Sequence, residues 1–294
     1  MDITLIKTFL EVASTGSFVA AADRLFVTQS AVSLRIQRLE NEIGQPLFTR
    51  SRAGAEMTSA GSIFENYALS LIKVWEEARQ QVGVPEGYIA SLTIGGQYSL
   101  WQRLGFRWID EMRLQMPELS IRTELGTPDR LTRFLVEGVV QAALVYSPNI
   151  RPGLQTRQIL EEKLVLVSAK PFPDLEQLDR DYVFVDWGPE FIHAHAAELP
   201  HLTHSGLTFA LGALTRDFII NRGMAAYLPA RSVQSFIHEG RLHLVPDSPV
   251  FPYPAWIIWR EDGPPPILAM ALEAINKVAI LADEYQKALP LEPE

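Results

Sequence analysis

The sequence has no cysteine among its 294 residues, which excludes disulfides, thiolate metal sites and a cysteine nucleophile. No run approaches the roughly 20 consecutive apolar residues that cross a bilayer. The start MDITLIKTF has neither the basic end nor the long apolar core of a secretory signal, so a cytoplasmic chain with no membrane partner is expected. Neither Gly-x-Ser-x-Gly nor a Walker-type phosphate loop occurs, and hydrolase and nucleotidase readings lose their commonest local supports. Positive charge is also in short supply: 26 Lys and Arg stand against 35 Asp and Glu, a formal net charge of -9. What is present is a hydrophobic content of 47% over a length that suggests two or three units, each able to bury a core.

The charge is unevenly spread. Residues 1–58 hold six basic side chains (Lys7, Arg24, Arg35, Arg38, Arg50, Arg52) and six acidic ones, so the remaining residues carry the whole deficit. Within that neutral end, Ser17 is placed to cap a helix in which Phe18, Ala21, Ala22 and Leu25 form one apolar stripe. After the short Phe26-Val27 connection, Thr28 supplies a second N-cap, and Val32, Ile36, Leu39 and Ile43 form the buried stripe of a longer helix that ends at Gly44. Leu5, Phe9 and Val12 of an upstream helix complete a three-helix cluster, and the tight pair is a helix-turn-helix.

Removing the buried stripe from the second helix leaves Thr28, Gln29, Ser30, Ser33, Leu34 and Gln37, flanked by Arg35 and Arg38. Gln pairs with adenine in bidentate fashion, Leu34 can meet a thymine methyl, and a helix N-terminus offers amides to phosphate. The segment LFTRSRAGAEMT beyond Pro46 fits a two-stranded wing that carries Arg50 and Arg52 at its turn, towards phosphate or a minor groove. The bland alternative, that Ser, Gln and Arg only solvate a surface helix, leaves the wing unexplained. Double-stranded DNA is the expected partner.

On these residues the segment resembles the winged helix-turn-helix of LysR-type bacterial transcriptional regulators. The pattern is carried by Phe9, Ser17, Phe18, Ala21, Ala22, Leu25, Gln29, Ser30, Ser33, Ile36, Leu39, Glu40, Gly44, Leu47, Phe48, Arg50, Thr58 and Gly61. Leu34 departs from it, since many relatives have arginine there, and Arg35 is the candidate substitute. From Ser59 to Val82, Ile63, Tyr67, Leu71 and Val74 follow helical spacing with no partner nearby in sequence. A self-pairing linker helix and a homodimer follow, and the resemblance implies a homotetramer and contact with RNA polymerase. Gly83-Val84-Pro85-Glu86-Gly87 ends the helix.

Beyond it the pattern turns to strand-helix alternation: LTIG, a helix through Trp101 and Trp108, LSIRTEL, a helix to Glu137, and AALVY at Ala142–Tyr146. A second series has LVLVS at Leu164–Ser168, YVFVDW at Tyr182–Trp187, a helix around Leu211–Ile220, and MAAYL. AWIIW at Ala255–Trp259 and a final helix Ile267–Lys287 returning to the first lobe complete it. This α/β pair resembles the LysR effector domain, itself similar to periplasmic solute-binding proteins, through Gly95-Gly96, Gly126-Thr127, AALVY and Gly223-Met224-Ala225-Ala226. Gln141 departs from that pattern, where relatives usually have aspartate. SLW at Ser99–Trp101 and WGPEF at Trp187–Phe191 resemble the subgroup containing flagellar-gene repressors.

The expected architecture is an α-helical winged helix-turn-helix at 1–58, a linker and dimerisation helix at 59–83, a hinge at 84–89 and a two-lobed α/β effector-binding domain at 90–294. Lobe I takes about 90–162 and 266–294, and lobe II about 163–265. Ligands of open α/β lobes sit beyond the carboxyl ends of strands, which selects Tyr98, Ser99, Thr127, Ser147, Ser168, Trp187, Arg222 and Met224 for a small polar or anionic effector. Ser99 would cap a helix and Arg222 supply a countercharge. No catalytic residue, metal or cofactor is expected. Two other classes stand as alternatives: a solute-binding transport protein, which leaves the DNA head unexplained, and a metal-dependent enzyme using His193, His195, His201 and His204, whose spacing matches no strong metal signature.

Overall fold

The computed structural model describes residues 2–51, 54–172, 174–178, 180–203, 205–210, 212–262 and 265–287. Arg52 and His204 lie outside the described residues. The chain forms two compact units, Met1–Ser91 with Arg133–Val140, and Leu92–Thr132 with Gln141–Glu294. No helix among the described residues is long and apolar enough to cross a membrane.

The first unit opens with three helices, α1 (Ile3–Thr15), α2 (Phe18–Leu25) and α3 (Gln29–Ile43). Each starts on a side-chain cap: the oxygens of Asp2, Ser17 and Thr28 accept from the amides of Thr4, Ala20 and Ala31. Strands β1 (Phe48–Ser51) and β2 (Gly54–Met57) form the antiparallel wing. Arg50 lies within β1 opposite Ala55, inside the ladder where the sequence placed it at the turn. Helix α4 (Ser59–Val82) follows, capped by the Thr58 hydroxyl.

Phe9, Val32, Ile36, Leu39, Leu47 and Phe48 make one buried cluster, each large side chain contributing about 1.5–3 kcal/mol. Ala68 and Ile72 of α4 join it, and the Phe64 ring meets Phe9 edge-on at 5.0 Å. One face of the linker helix therefore packs on its own head. A second face remains open, with Ile63, Tyr67, Leu71 and Val74 exposed beside Trp75.

The second unit is built on two sheets. Strand β3 (Ala90–Gly96) leads into a short α5 (Tyr98–Leu100), a π-helical segment (Trp101–Gly105) and α6 (Phe106–Gln115). Then come β4 (Leu119–Leu125), α7 (Pro128–Val136), β5 (Ala142–Val145), β6 (Leu154–Leu160) and β7 (Lys163–Ser168). After β8 (Phe184–Val185), α8 (Pro189–Glu198), β9 (Thr208–Phe209) and α9 (Gly212–Arg222), the chain forms β10 (Ala225–Pro229) and α10 (Ala230–His238). Strands β11 (His243–Leu244), β12 (Phe251–Pro252) and β13 (Ala255–Arg260) precede the final helix α11 (Pro265–Lys287).

The larger sheet has the order β4-β3-β5-β13-β6, with β3 and β5 parallel and β13 antiparallel to both its neighbours. The smaller runs β10-β7-β11, with β12 also on β7. Helix α11 returns to the larger sheet, where the buried Trp108 indole of α6 donates to the Ala271 carbonyl at 2.7 Å. Gln141 fills its variant position usefully: its side-chain oxygen accepts from Thr93 N at 2.8 Å and ties β3 to the start of β5.

The YVFVDW run is not one strand. Tyr182 bridges Ala225 of β10, whereas Phe184 and Val185 pair with β9, so the run changes partner midway.

Candidate nucleic-acid interface and ligand cavity

The polar face of α3 is presented as the sequence predicts. Thr28, Gln29, Ser30, Leu34, Gln37 and Arg38 are exposed, and Ser33 is half-buried. Leu34 stands in the middle of that face at 67% exposure. The Thr28 hydroxyl is already engaged, capping Ala31 N at 3.2 Å and meeting the Ser30 hydroxyl at 2.9 Å. Arg38 reaches Glu42 at 3.3 Å. Arg35 turns the other way: its guanidinium donates to Thr8 of α1 at 3.4 Å, because position 35 lies on the flank that abuts α1.

The wing is held to α3 by a residue whose role the sequence did not disclose. One oxygen of Glu40 accepts from the amides of both Leu47 and Phe48, at 2.7 and 3.2 Å. Together these two bonds fix the wing's entry angle. On its other side the wing rests on the α1–α2 turn, where Ala55 N donates to Gly16 O at 2.8 Å. Gly54 makes that approach feasible, since its φ is +131° and a Cβ there would lie 2.5 Å from Gly16 O.

The second unit contains a cavity of about 600 Å³. Ser99, Gln102 and Arg107 line it from the segment after β3, and Tyr146 from the end of β5. Trp187, Gly212, Arg216, Ser232, Ser235 and His238 line it from the part built on the smaller sheet. Its lining aromatics Tyr146 and Trp187 both rest on Tyr253, Tyr146 stacked at 3.9 Å and Trp187 edge-on at 5.3 Å. Burial and the neighbouring Tyr146 push the Tyr253 hydroxyl well above its ordinary pKa, so it stays protonated.

Arg231 closes one side as a structural tie. Its guanidinium donates to the carbonyls of Ala282 and Glu161 and faces the Glu162 carboxylate at 3.3 Å.

Of the eight residues expected to contact an effector, Ser99 and Trp187 line this cavity, and Tyr98, Thr127, Ser147, Ser168, Arg222 and Met224 are not among its lining residues. Ser99 lies inside α5, whose N-cap is Gln97, so it does not cap a helix. Ser168 is buried and accepts from Lys170 N, and Thr127 accepts from Arg130 N at the start of α7. Arg222 lies over the Phe218 ring at 4.1 Å. Besides Arg231, the cationic lining comes from Arg107 and Arg216, which sequence reasoning missed because neither follows a strand end.

The described histidines of the cluster take separate roles. His195 is buried in an aromatic core among Phe184, Phe191, Tyr227 and Phe251, with Nε2 at 2.8 Å from the Tyr182 hydroxyl. Burial, then the nearby His201, pushes it down to about 4. His193 is exposed on α8 and bonds the Pro189 carbonyl. Among the described residues no three His, Cys, Asp or Glu side chains could hold a metal ion together.

Residues 3–62 match the family model of the bacterial regulatory helix-turn-helix protein, lysR family, and residues 86–278 match that of the LysR substrate binding domain. The chain belongs to the LysR family. It is thus a DNA-binding transcriptional regulator with an effector-binding domain, as the head and lobes implied. The HTH-type transcriptional regulator HdfR of Salmonella schwarzengrund is 31% identical over 271 residues, covering 90% of this chain and 94% of its own. HdfR of Yersinia enterocolitica is 29% identical over 273 residues, with 90% and 92% covered.

Among solved structures, ArgP from Mycobacterium tuberculosis shares the fold at a TM-score of 0.58 and 21% identity, covering 95% of this chain and 97% of that one. LysG from Corynebacterium glutamicum, solved with bound effector Arg, has a TM-score of 0.56 at 20% identity, covering 96% and 99%. This LysR-family chain therefore shares its fold with these structures at low identity.

Proposed function

We propose that this LysR-type regulator works as a homodimer, assembled further into a homotetramer, whose paired α4 helices set two reading heads on promoter DNA. Gln29, Ser30, Ser33, Leu34 and Gln37 read base edges, while Arg38, Arg50 and Arg52 meet the backbone or a minor groove. A small polar or anionic effector enters the cavity beside Ser99, Gln102, Arg107 and Arg216. Its binding favours one lobe arrangement, changes the spacing of the heads and so alters contact with RNA polymerase.

The regulator acts in the cytoplasm, without cofactor or catalysis. The observation that carries this reading is the pairing of an exposed, polar recognition face with a separate cavity large enough for a metabolite.

Genome-wide footprinting with and without candidate metabolites tests it. A true effector changes footprint length or DNA bending, and unchanged DNA geometry under saturating ligand defeats the switch. Near-stoichiometric zinc in untagged protein would revive the enzymatic alternative.

A further inference from the structure

Phe26 is a residue for which the fold has no evident use. It closes α2 in the left-handed region, at φ 54 and ψ 43, with its amide donating to the carbonyls of Ala22 and Asp23. That position at the end of a helix is normally glycine or asparagine, because a Cβ is crowded there. The neighbouring helices follow the rule, since α1 and α3 end on Gly16 and Gly44 in the same conformation. At α2 the chain accepts the crowding and places a ring there that is 95% exposed, so no burial offsets the strain.

Among the described residues the other non-glycine positions with positive φ are Phe172 and Asp247. Phe26 alone borders the recognition helix, two residues before its N-cap Thr28 and beside the exposed Gln29 and Ser30.

A hydrocarbon ring offers nothing to a phosphate. The groups it can meet on a duplex are the C5-methyl of thymine and the carbons of deoxyribose. We propose that Phe26 is a DNA-contact residue whose ring packs on this apolar edge of the duplex when α3 enters the major groove. The left-handed strain at the turn is kept because it aims the ring outward beside the bases that α3 reads.

The test compares the full chain with its Phe26→Asn variant on a duplex carrying the site that the wild-type protein selects from a random-sequence library. Asparagine tolerates the left-handed backbone, so the variant melts at or above the wild-type temperature. It nevertheless binds about tenfold more weakly, with the slope of log affinity against log salt unchanged, because no phosphate contact is removed. Deoxyuridine placed at each thymine in turn then separates the two sources. A position where the wild type loses affinity and the variant does not is the methyl contact, whereas a loss in the variant that no replacement mimics assigns the ring to deoxyribose. Equal affinity of the two proteins overturns the proposal. So does a variant that loses stability together with binding, since the ring would then serve the fold.

Discussion

Glu40 shows how a single carboxylate can organise the entry to a wing. Its Oε1 holds two successive amides at the entry to the wing. Glu40→Ala leaves both amides to find water, and a loss of about 1–3 kcal/mol in unfolding free energy is expected, together with weaker binding to every DNA sequence. Glu40→Gln keeps an oxygen that can accept both bonds, so denaturant titration should find it much closer to wild type. Equal losses for the two variants would mean that the charge, and not the geometry of acceptance, holds the wing.

His195 makes the opposite kind of statement, a titratable group kept neutral by its surroundings. Its pKa falls from 6.5 to about 4 in the folded chain, so between those values the unfolded chain holds the extra proton. Stability is therefore complete above pH 6.5 and declines as pH falls through the window to 4. Denaturant unfolding followed through the second unit should show this slope, and His195→Gln, which cannot ionise, should flatten it. Parallel pH profiles for the two proteins would rule the assignment out.

At the scale of elements, the seat of Trp187 is set by a glycine. A Cβ on Gly212 would lie 2.0 Å from the Trp187 ring, and the indole is pinned further by its bond to the Tyr227 carbonyl at 2.9 Å. Gly212→Ala must push the ring away from the cavity wall, with an expected loss of about 1–3 kcal/mol and a change in indole emission. An unaltered melting temperature and spectrum would show that α9 can shift freely instead.

The helical head was readable in sequence because each stripe and cap is local: Ser17, Thr28 and Gly44 all act where their spacing placed them. Strand β6 was missed for a physical reason. At the edge of its sheet it buries its end leucines and runs Gln, Thr, Arg and Gln before Ile159 between them, so it carries little period-two apolar signal. The cavity was largely hidden because its wall joins positions as distant as Tyr146, Trp187, Gly212 and Arg231, which only tertiary folding brings together. Glu40 could have been suspected from the family pattern, but its two amide partners could not.

For the whole molecule, charge and assembly belong to one argument. The head is electrically neutral and the rest of the chain carries the net charge of -9, so a single head gains little nonspecific attraction to DNA. In the proposed dimer affinity comes from coupling heads, and α4 offers a face for it. Its Ala68–Ile72 face is committed to its own head, while Tyr67 and Val74 on the adjacent face stay 66% and 62% exposed. Tyr67→Glu combined with Val74→Glu places like charges on that open face without entering the buried cluster. Helicity by circular dichroism and the melting temperature of the head should therefore persist, while light scattering reports monomers. Operator affinity should fall about a hundredfold or more, because the second head no longer binds at high effective concentration. The slope of affinity against salt should shrink with it, since each bound molecule then neutralises fewer phosphates. A doubly charged variant that stays dimeric and keeps its affinity would move the dimer contact off this face and leave the spacing of the heads to some other part of the chain.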